Sequence, residues 1–165
     1  MINIRGLNCM RKLLSGKEIK ELLEELPLGL KVFSKKDKLE IFDNIYKLND
    51  KPFLIVIDEK NRKMIPHLKF LQTISSSELL KFNVITIDMG AVKFVVSGAD
   101  IMRPGIKNME GNFQKDDHVI IIDINNKKPL SVGLALFSSE EMKNMTGGKV
   151  IKNIHYVGDE FWKIN

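Results

Sequence analysis

The chain has 165 residues, of which 44% are apolar and 28% charged, as in folded globular proteins of one large domain or two small ones. No apolar run approaches the roughly 20 residues that span a bilayer. The N-terminus lacks a secretory profile, and a single cysteine, Cys9, excludes an internal disulfide framework. We therefore expect a cytoplasmic protein that does not enter the membrane.

The net charge of +5 is unevenly distributed along the chain. Residues 1–84 contain 16 Lys/Arg and 11 Asp/Glu, whereas residues 85–165 contain 10 of each. A basic first half indicates either a polyanionic partner such as nucleic acid or a lysine-rich solvated surface.

The first predicted element is a helix after Ser15, which has the spacing of a capping box with Glu18. Pro27 and Gly29 are expected to end this helix. Its apolar stripe either packs in the core or docks a partner helix, and consists of Ile19, Leu22, Leu23 and Leu26.

Short apolar segments then predict a small antiparallel sheet, with turn-rich breaks at Asn49-Asp50 and Asp58–Asn61. Its strands contain Leu39, Ile41, Ile45 and residues 53–57. From Pro66, which suits the first position of a helix, the spacing changes and predicts one or two short helices. Leu68, Leu71 and Gln72 lie along one side of them.

A second series of strands begins near residues 82–86, where we place a domain boundary. Residues 120–124 and 130–136 read as a hairpin, followed by a short helix capped by Ser138 or Ser139. Residues 149–164 predict a last hairpin that turns at Gly158-Asp159. Strands this short and dense are typical of a small barrel or sandwich.

No catalytic or metal-binding pattern appears in the sequence. His67, His118 and His155 are far apart, without a second metal-type ligand at a diagnostic spacing, and one cysteine cannot build a thiolate site. Asp88 precedes Gly90 and is better explained as a turn residue than as a general base. We therefore expect a non-enzymatic protein without a cofactor.

The segment "GAVKFVVSGADIMRPGI" at residues 90–106 is the best binding candidate. It predicts a short helix that ends at Gly98, and then a strand that ends at Pro104-Gly105. The exposed backbone of such a corner suits phosphate or ribose contacts, with Lys93 and Arg103 as nearby cations and Arg103 able to fork onto a phosphate. Alternatively, the glycines only permit positive φ and tight packing at a barrel corner.

The same segment resembles the opening of a PUA domain, a small RNA-binding pseudo-barrel. The motif is a short helix followed by Gly98-Ala99, three further residues, Arg103 and Pro104-Gly105, and the resemblance covers residues 85–165. "IPHLKFLQ" and "KNIHYVGDEFW" are further similar to the malignant-T-cell-amplified-sequence family and its archaeal relatives. This resemblance implies an α+β protein, with a pre-PUA α/β domain containing a small antiparallel sheet at residues 1–84 and a C-terminal PUA pseudo-barrel at residues 85–165.

The resemblance also implies a function. We expect a non-enzymatic, archaeal RNA-binding protein that acts in translation, in initiation or ribosome recycling, through ribosomal RNA or tRNA. The small ribosomal subunit or a translation factor would be its partner. The alternatives are an RNA-gripping module of a tRNA or rRNA modification system, or a protein-interaction adaptor.

The family's RNA face carries over onto seven residues of this chain: Lys93, Ser97, Gly98, Ala99, Arg103, Gly105 and Lys107. Lys149 and Lys152 are expected at its margin or on the solvated surface. Tyr156, Phe161 and Trp162 either stack on bases or, as we favour, fill the core.

Overall fold

The computed structural model describes residues 11–24, 34 and 36–164. It contains two β-sheets with short helices, which confirms the predicted α+β class. Among the described residues, no helix is both long and apolar enough to cross a membrane. The elements of the first half are β1 (Lys12–Leu13), α1 (Gly16–Glu24), β2 (Leu39–Phe42), β3 (Ile45–Leu48), β4 (Lys51–Asp58), β5 (Lys63–Pro66), α2 (Leu68–Leu71) and α3 (Ser76–Leu79).

Helix α1 begins as the sequence predicts. The Ser15 hydroxyl accepts from the Glu18 N–H, and the Glu18 carboxylate accepts from the Ser15 N–H, which completes the capping box. Leu22 is fully buried and Ile19 packs beside the same core. Leu23, the third residue of the predicted stripe, is half-buried on α1. Leu26 and the predicted helix end at Pro27 and Gly29 lie outside the described residues, as does Cys9.

The first half forms one antiparallel sheet with strand order β1-β2-β3-β4-β5, as predicted. Two short helices follow it. The prediction that Pro66 opens a helix is wrong: Pro66 is the last residue of β5 and pairs with Leu54. His67 caps α2 instead, and its Nδ1 accepts from the Lys69 N–H at 3.1 Å.

The second half forms a mixed sheet with strand order β7-β11-β10-β9-β6-β8. Strands β9 and β10 form the predicted hairpin, whereas β6 and β9 run parallel. Ser138 caps α5 in a capping box with Glu141. The elements are β6 (Val84–Ile87), α4 (Met89–Val95), β7 (Ile101–Met102), the 3-10 turn η1 (Arg103–Gly105), β8 (Ile106–Glu110), β9 (His118–Asp123), β10 (Pro129–Ala135), α5 (Ser139–Asn144) and β11 (Lys149–Tyr156).

The predicted last hairpin is wrong. Strand β11 is continuous, and residues 157–164 form turns rather than a returning strand. The cause is the Asp159 carboxylate, which accepts from the N–H groups of Tyr156 and Trp162 and so closes the chain into a turn. Phe161 thereby reaches the core, where it is 6% exposed.

Two apolar clusters hold the sheets together. The first is continuous between the halves and joins Phe53 of β4 to Ile120 of β9 and to Phe161. The second fills the interior of the curled sheet, where Val119 and Ile121 point. Strand β9 is buried on both faces, which explains why its sequence is an unbroken apolar run. The two halves therefore share one core.

Candidate nucleic-acid interface

Helix α4 is anchored at its N-terminus by Asp88. The carboxylate accepts from the Ala91 N–H at 2.9 Å, a typical N-cap bond. Val95 is buried in the barrel interior, and Ala91 and Val92 pack beside it. Asp88 is thus the structural turn residue that we expected, and the outer side of α4 faces solvent.

The C-terminus of α4 ends in a Schellman motif at Gly98. The Gly98 N–H donates to the Val95 carbonyl, and the Ala99 N–H donates to the Phe94 carbonyl, with Gly98 at a φ of +88°. A Cβ at Gly98 would lie 2.9 Å from the Tyr156 ring. Glycine is therefore required both by backbone conformation and by contact, as the barrel-corner alternative proposed.

The segment after β7 lies directly against α4. Gly105 does not have a positive φ, but a Cβ there would come within 3.2 Å of the Ala91 side chain. Its role is therefore close packing between η1 and α4, which is one part of the barrel-corner prediction; the other part, a positive φ, does not hold at Gly105.

Arg103 is positioned differently from our expectation. Its Nε donates to the Met142 carbonyl at 2.7 Å and its Nη1 to the Ile106 carbonyl at 3.4 Å. The guanidinium therefore joins η1 to the end of α5, and these two bonds use two of its five N–H groups, including that of Nε. Ser97 is likewise engaged, since its hydroxyl donates to the Lys93 carbonyl at 2.7 Å.

A cleft, which we call the α4 cleft, lies between α4 and the β7–η1 segment. Its volume is about 660 Å³, and its lining includes Ala91, Phe94, Met102, Pro104 and Lys149. Two large apolar side chains of this lining are exposed: Phe94 is 57% and Met102 51% exposed. Met89, the first residue of α4, is 46% exposed. Exposed apolar groups gathered in one place are typical of a binding surface.

Sequence reasoning missed these apolar residues, although a signal for Phe94 and Met89 was present. Ala91, Val92 and Val95 occupy the core-facing side of the helix. Because a helix turns by about 100° per residue, Phe94 and Met89 lie outside that core-facing side. Two large apolar residues beside a core-facing arc indicate a solvent-exposed contact surface.

Lysines surround the α4 cleft. The Lys93 ammonium lies 4.9 Å from the centre of the Phe94 ring. Lys107 pairs with Asp88 at 3.5 Å and Lys149 with Asp100 at 3.1 Å. Pairs at the surface contribute little to stability, so a phosphate can compete with these carboxylates for either lysine. Lys152, by contrast, lines a separate groove beside Lys163.

Strand β11 holds the end of α4 in place. The Asn153 side-chain amide donates to the carbonyls of Val95 and Ala99, each at 3.0 Å. The Asp100 carboxylate accepts from the Asn153 N–H at 2.9 Å. Strand β11 therefore holds the chain on both sides of Gly98, at Val95 and at Ala99. These contacts set the shape of the α4 cleft.

The aromatic residues near the C-terminus serve packing. Phe161 is buried, and Trp162 packs against the shared core with the Lys69 ammonium 5.8 Å from its ring centre. Tyr156 is half-buried beneath Gly98. Within the part of the chain that the structure describes, no three His, Cys, Asp or Glu side chains group into a metal site.

Comparison with known proteins identifies the family. Residues 83–157 match the PUA domain model. An uncharacterized protein of Methanocaldococcus jannaschii is 38% identical over 162 residues, covering 92% of this chain and 94% of its own length.

Translation machinery-associated protein 20 of Schizosaccharomyces pombe is 34% identical over 72% of this chain and 65% of its length. Malignant T-cell-amplified sequence 1 of Rattus norvegicus is 37% identical over 46% of this chain and 43% of its length. The chain therefore belongs to the same family as the Methanocaldococcus jannaschii protein, and it carries a PUA domain.

A solved structure is similar to nearly the whole chain. A hypothetical protein from Pyrococcus horikoshii superimposes with a TM-score of 0.81 and 30% identity, covering 94% of this chain and 99% of that one. The similarity therefore includes the first half of the chain, which the PUA domain model does not reach.

Proposed function

We propose that the protein is a non-enzymatic RNA-binding protein that acts in translation, and that the α4 cleft is its RNA-binding surface. The observation that carries this proposal is the exposed Phe94 beside Lys93, at the edge of a cleft that also presents Met102 and Lys149. An aromatic ring can stack on an unpaired base, while lysines neutralise the phosphates that flank it.

The relatives support the translation role. One of them, 34% identical over 72% of this chain, is named for the translation machinery. We propose the small ribosomal subunit or tRNA as the target, and Lys93, Ser97, Gly98, Ala99, Arg103, Gly105 and Lys107 as the contact surface, extended by Phe94, Met102 and Lys149. Arg103 and Gly105 act mainly by shaping the surface, because their contacts are internal.

We also propose that residues 1–84 and 85–165 are the two domains, with the basic first domain supplying a second, less specific RNA contact. The excess of five basic residues in the first half supports this role. Electrostatic contacts of this kind are sequence-independent and salt-sensitive.

The test compares Phe94→Ala with Leu80→Ala, since Phe94 and Leu80 are 57% and 55% exposed. Binding is measured by fluorescence anisotropy with bulk tRNA and with a labelled single-stranded RNA oligonucleotide. Loss of one stacked base should weaken binding about tenfold or more for Phe94→Ala. Leu80→Ala should bind as the parent protein does.

The lysine contribution is measured separately, through salt dependence. Lys93→Ala should reduce the slope of log affinity against log salt by about 1. Equal affinities for the parent, Phe94→Ala and Lys93→Ala proteins would exclude the α4 cleft as the RNA surface. Crosslinking in cell extract, followed by sequencing, identifies the bound RNA.

A further inference from the structure

Two histidines that are 88 positions apart in the sequence meet at the junction of the two halves. His67 lies between β5 and α2, and His155 lies on β11. Both are 0% exposed, and their ring centres are 4.7 Å apart. Buried polar rings require hydrogen bonds, and every ring nitrogen of this pair has one.

The hydrogen bonds of His67 fix its proton on Nε2. Nδ1 accepts from the Lys69 N–H at 3.1 Å, so it cannot carry a proton itself. Nε2 lies 3.0 Å from the Phe161 carbonyl, which only accepts. His67 is therefore neutral, and its Nε2–H donates across the junction to the turn that follows β11.

The hydrogen bonds of His155 place its proton on the other ring nitrogen, Nδ1. Nε2 accepts from the Leu68 N–H at 3.1 Å, and Nδ1 donates to the Asp159 carboxylate at 2.9 Å. His155 is therefore also neutral. Each ring thus reaches across the junction: His67 bonds to the C-terminal turn, and His155 to the start of α2.

We propose that His67, His155 and Asp159 form a neutral histidine latch that fixes α2 against the PUA domain, and that protonation opens it. The shared apolar core resists separation of the halves but is not directional. Hydrogen bonds with defined donors and acceptors set the register between them.

Protonation opens the latch for a geometric reason. A proton on Nδ1 of His67 would face the Lys69 N–H. A proton on Nε2 of His155 would likewise face the Leu68 N–H. Each protonation therefore replaces a hydrogen bond with a donor–donor contact. The charge would also be buried.

The charged groups that face the pair do not remove this penalty. The Asp159 carboxylate lies beside His155 and is already held by the N–H groups of Tyr156 and Trp162. Lys69 lies on the His67 side, with its ammonium donating to the Ile164 carbonyl at 2.8 Å. Burial, with smaller contributions from His155 and Lys69, lowers the pKa of His67 to about 4, although its bond to Phe161 and the Asp159 charge act in the opposite direction.

The direction of the pH effect follows from that lowered pKa. The open form binds the proton more tightly than the closed form, so the latch is fully closed above the ordinary pKa of 6.5 and loosens as pH falls toward about 4. Within that window, one proton changes the opening equilibrium about tenfold per pH unit.

Amide hydrogen exchange tests the latch directly and needs no RNA. Protection factors are measured from pH 7 to pH 4 at Leu68 and Lys69, whose N–H groups bond to the two rings, and at Val119–Ile121 in the barrel as reference. We expect protection at Leu68 and Lys69 to fall about tenfold per pH unit below 6.5 while the reference amides change less. A parallel decline at both sets would overturn the proposal, because it would indicate unfolding of the whole chain.

Two variants and one spectrum complete the test. His67→Asn keeps a helix-capping acceptor but cannot titrate, so the acid loss of protection at Lys69 should disappear. His118→Asn changes a histidine that lies apart from the pair, with its ring 6.3 Å from Phe82, and should retain it. If His67→Asn does not fold, nitrogen NMR of the parent protein decides: two neutral rings of opposite tautomer at pH 7 support the latch, whereas a protonated ring at pH 7 refutes it.

Discussion

Replacing Gly98 with alanine should destabilise the protein for two separable reasons. Gly98 has a φ of +88°, and a side chain in that conformation costs about 1–2 kcal/mol. The new Cβ would also lie 2.9 Å from three atoms of the Tyr156 side chain, and displacing a packed ring adds about 1–2 kcal/mol. We expect a loss of about 2–4 kcal/mol in the free energy of unfolding, which lowers Tm by roughly 5–15 °C for a chain of this size.

The neighbouring glycines provide matched controls for each contribution. Gly148 has a φ of +86°, but nothing lies within 4 Å of its Cβ position, so Gly148→Ala measures the conformational cost alone. Gly147 has neither constraint, and Gly147→Ala should change stability by less than about 0.5 kcal/mol. All three variants are compared by urea denaturation. If Gly98→Ala costs no more than Gly148→Ala, the contact with Tyr156 contributes nothing and our reasoning about this corner is wrong.

Two further substitutions test the supports of the site and of the junction. Asn153→Ala removes both side-chain bonds to the end of α4, and we expect it to cost about 1–3 kcal/mol and to speed amide exchange at Ala99; unchanged exchange there would show that Asn153 does not hold the turn. Phe161→Ala removes a buried ring from the core that both halves share and should cost about 3–5 kcal/mol in urea denaturation. One cooperative transition, at a lower urea concentration, is expected, and an unaltered midpoint would contradict the shared core.

The sequence predicts those features that depend on neighbouring residues. The α1 capping box, the β9–β10 hairpin and the helix end at Gly98 follow from short-range spacing and glycine chemistry. Pro66 was misassigned because a proline with φ near −65° suits the end of a strand as well as the start of a helix. Strand β8 was missed because Ile106–Glu110 is an edge strand with few buried residues, and therefore lacks a strong apolar pattern.

Features that depend on distant residues could not be predicted in this way. His67 and His155 look like isolated histidines in the sequence, and only the packing of α2 against β11 brings their rings together. Arg103 looked like a free cation for the same reason. Its carbonyl partner belongs to Met142, 39 residues later, and no local spacing indicates that contact.

Strand β11 connects the latch to the candidate RNA surface. Within eight residues it carries Lys149 at the α4 cleft, Asn153 at the end of α4, His155 in the latch and Tyr156 beneath Gly98. Its backbone pairs with β10 along most of its length and with β7 at Lys149 and Ile151. Asn153 lies two residues from His155 along this strand, so the residue that holds the turn of the α4 cleft is a near neighbour of the latch in the chain. The junction between the halves and the proposed binding surface are thus held by residues of one strand.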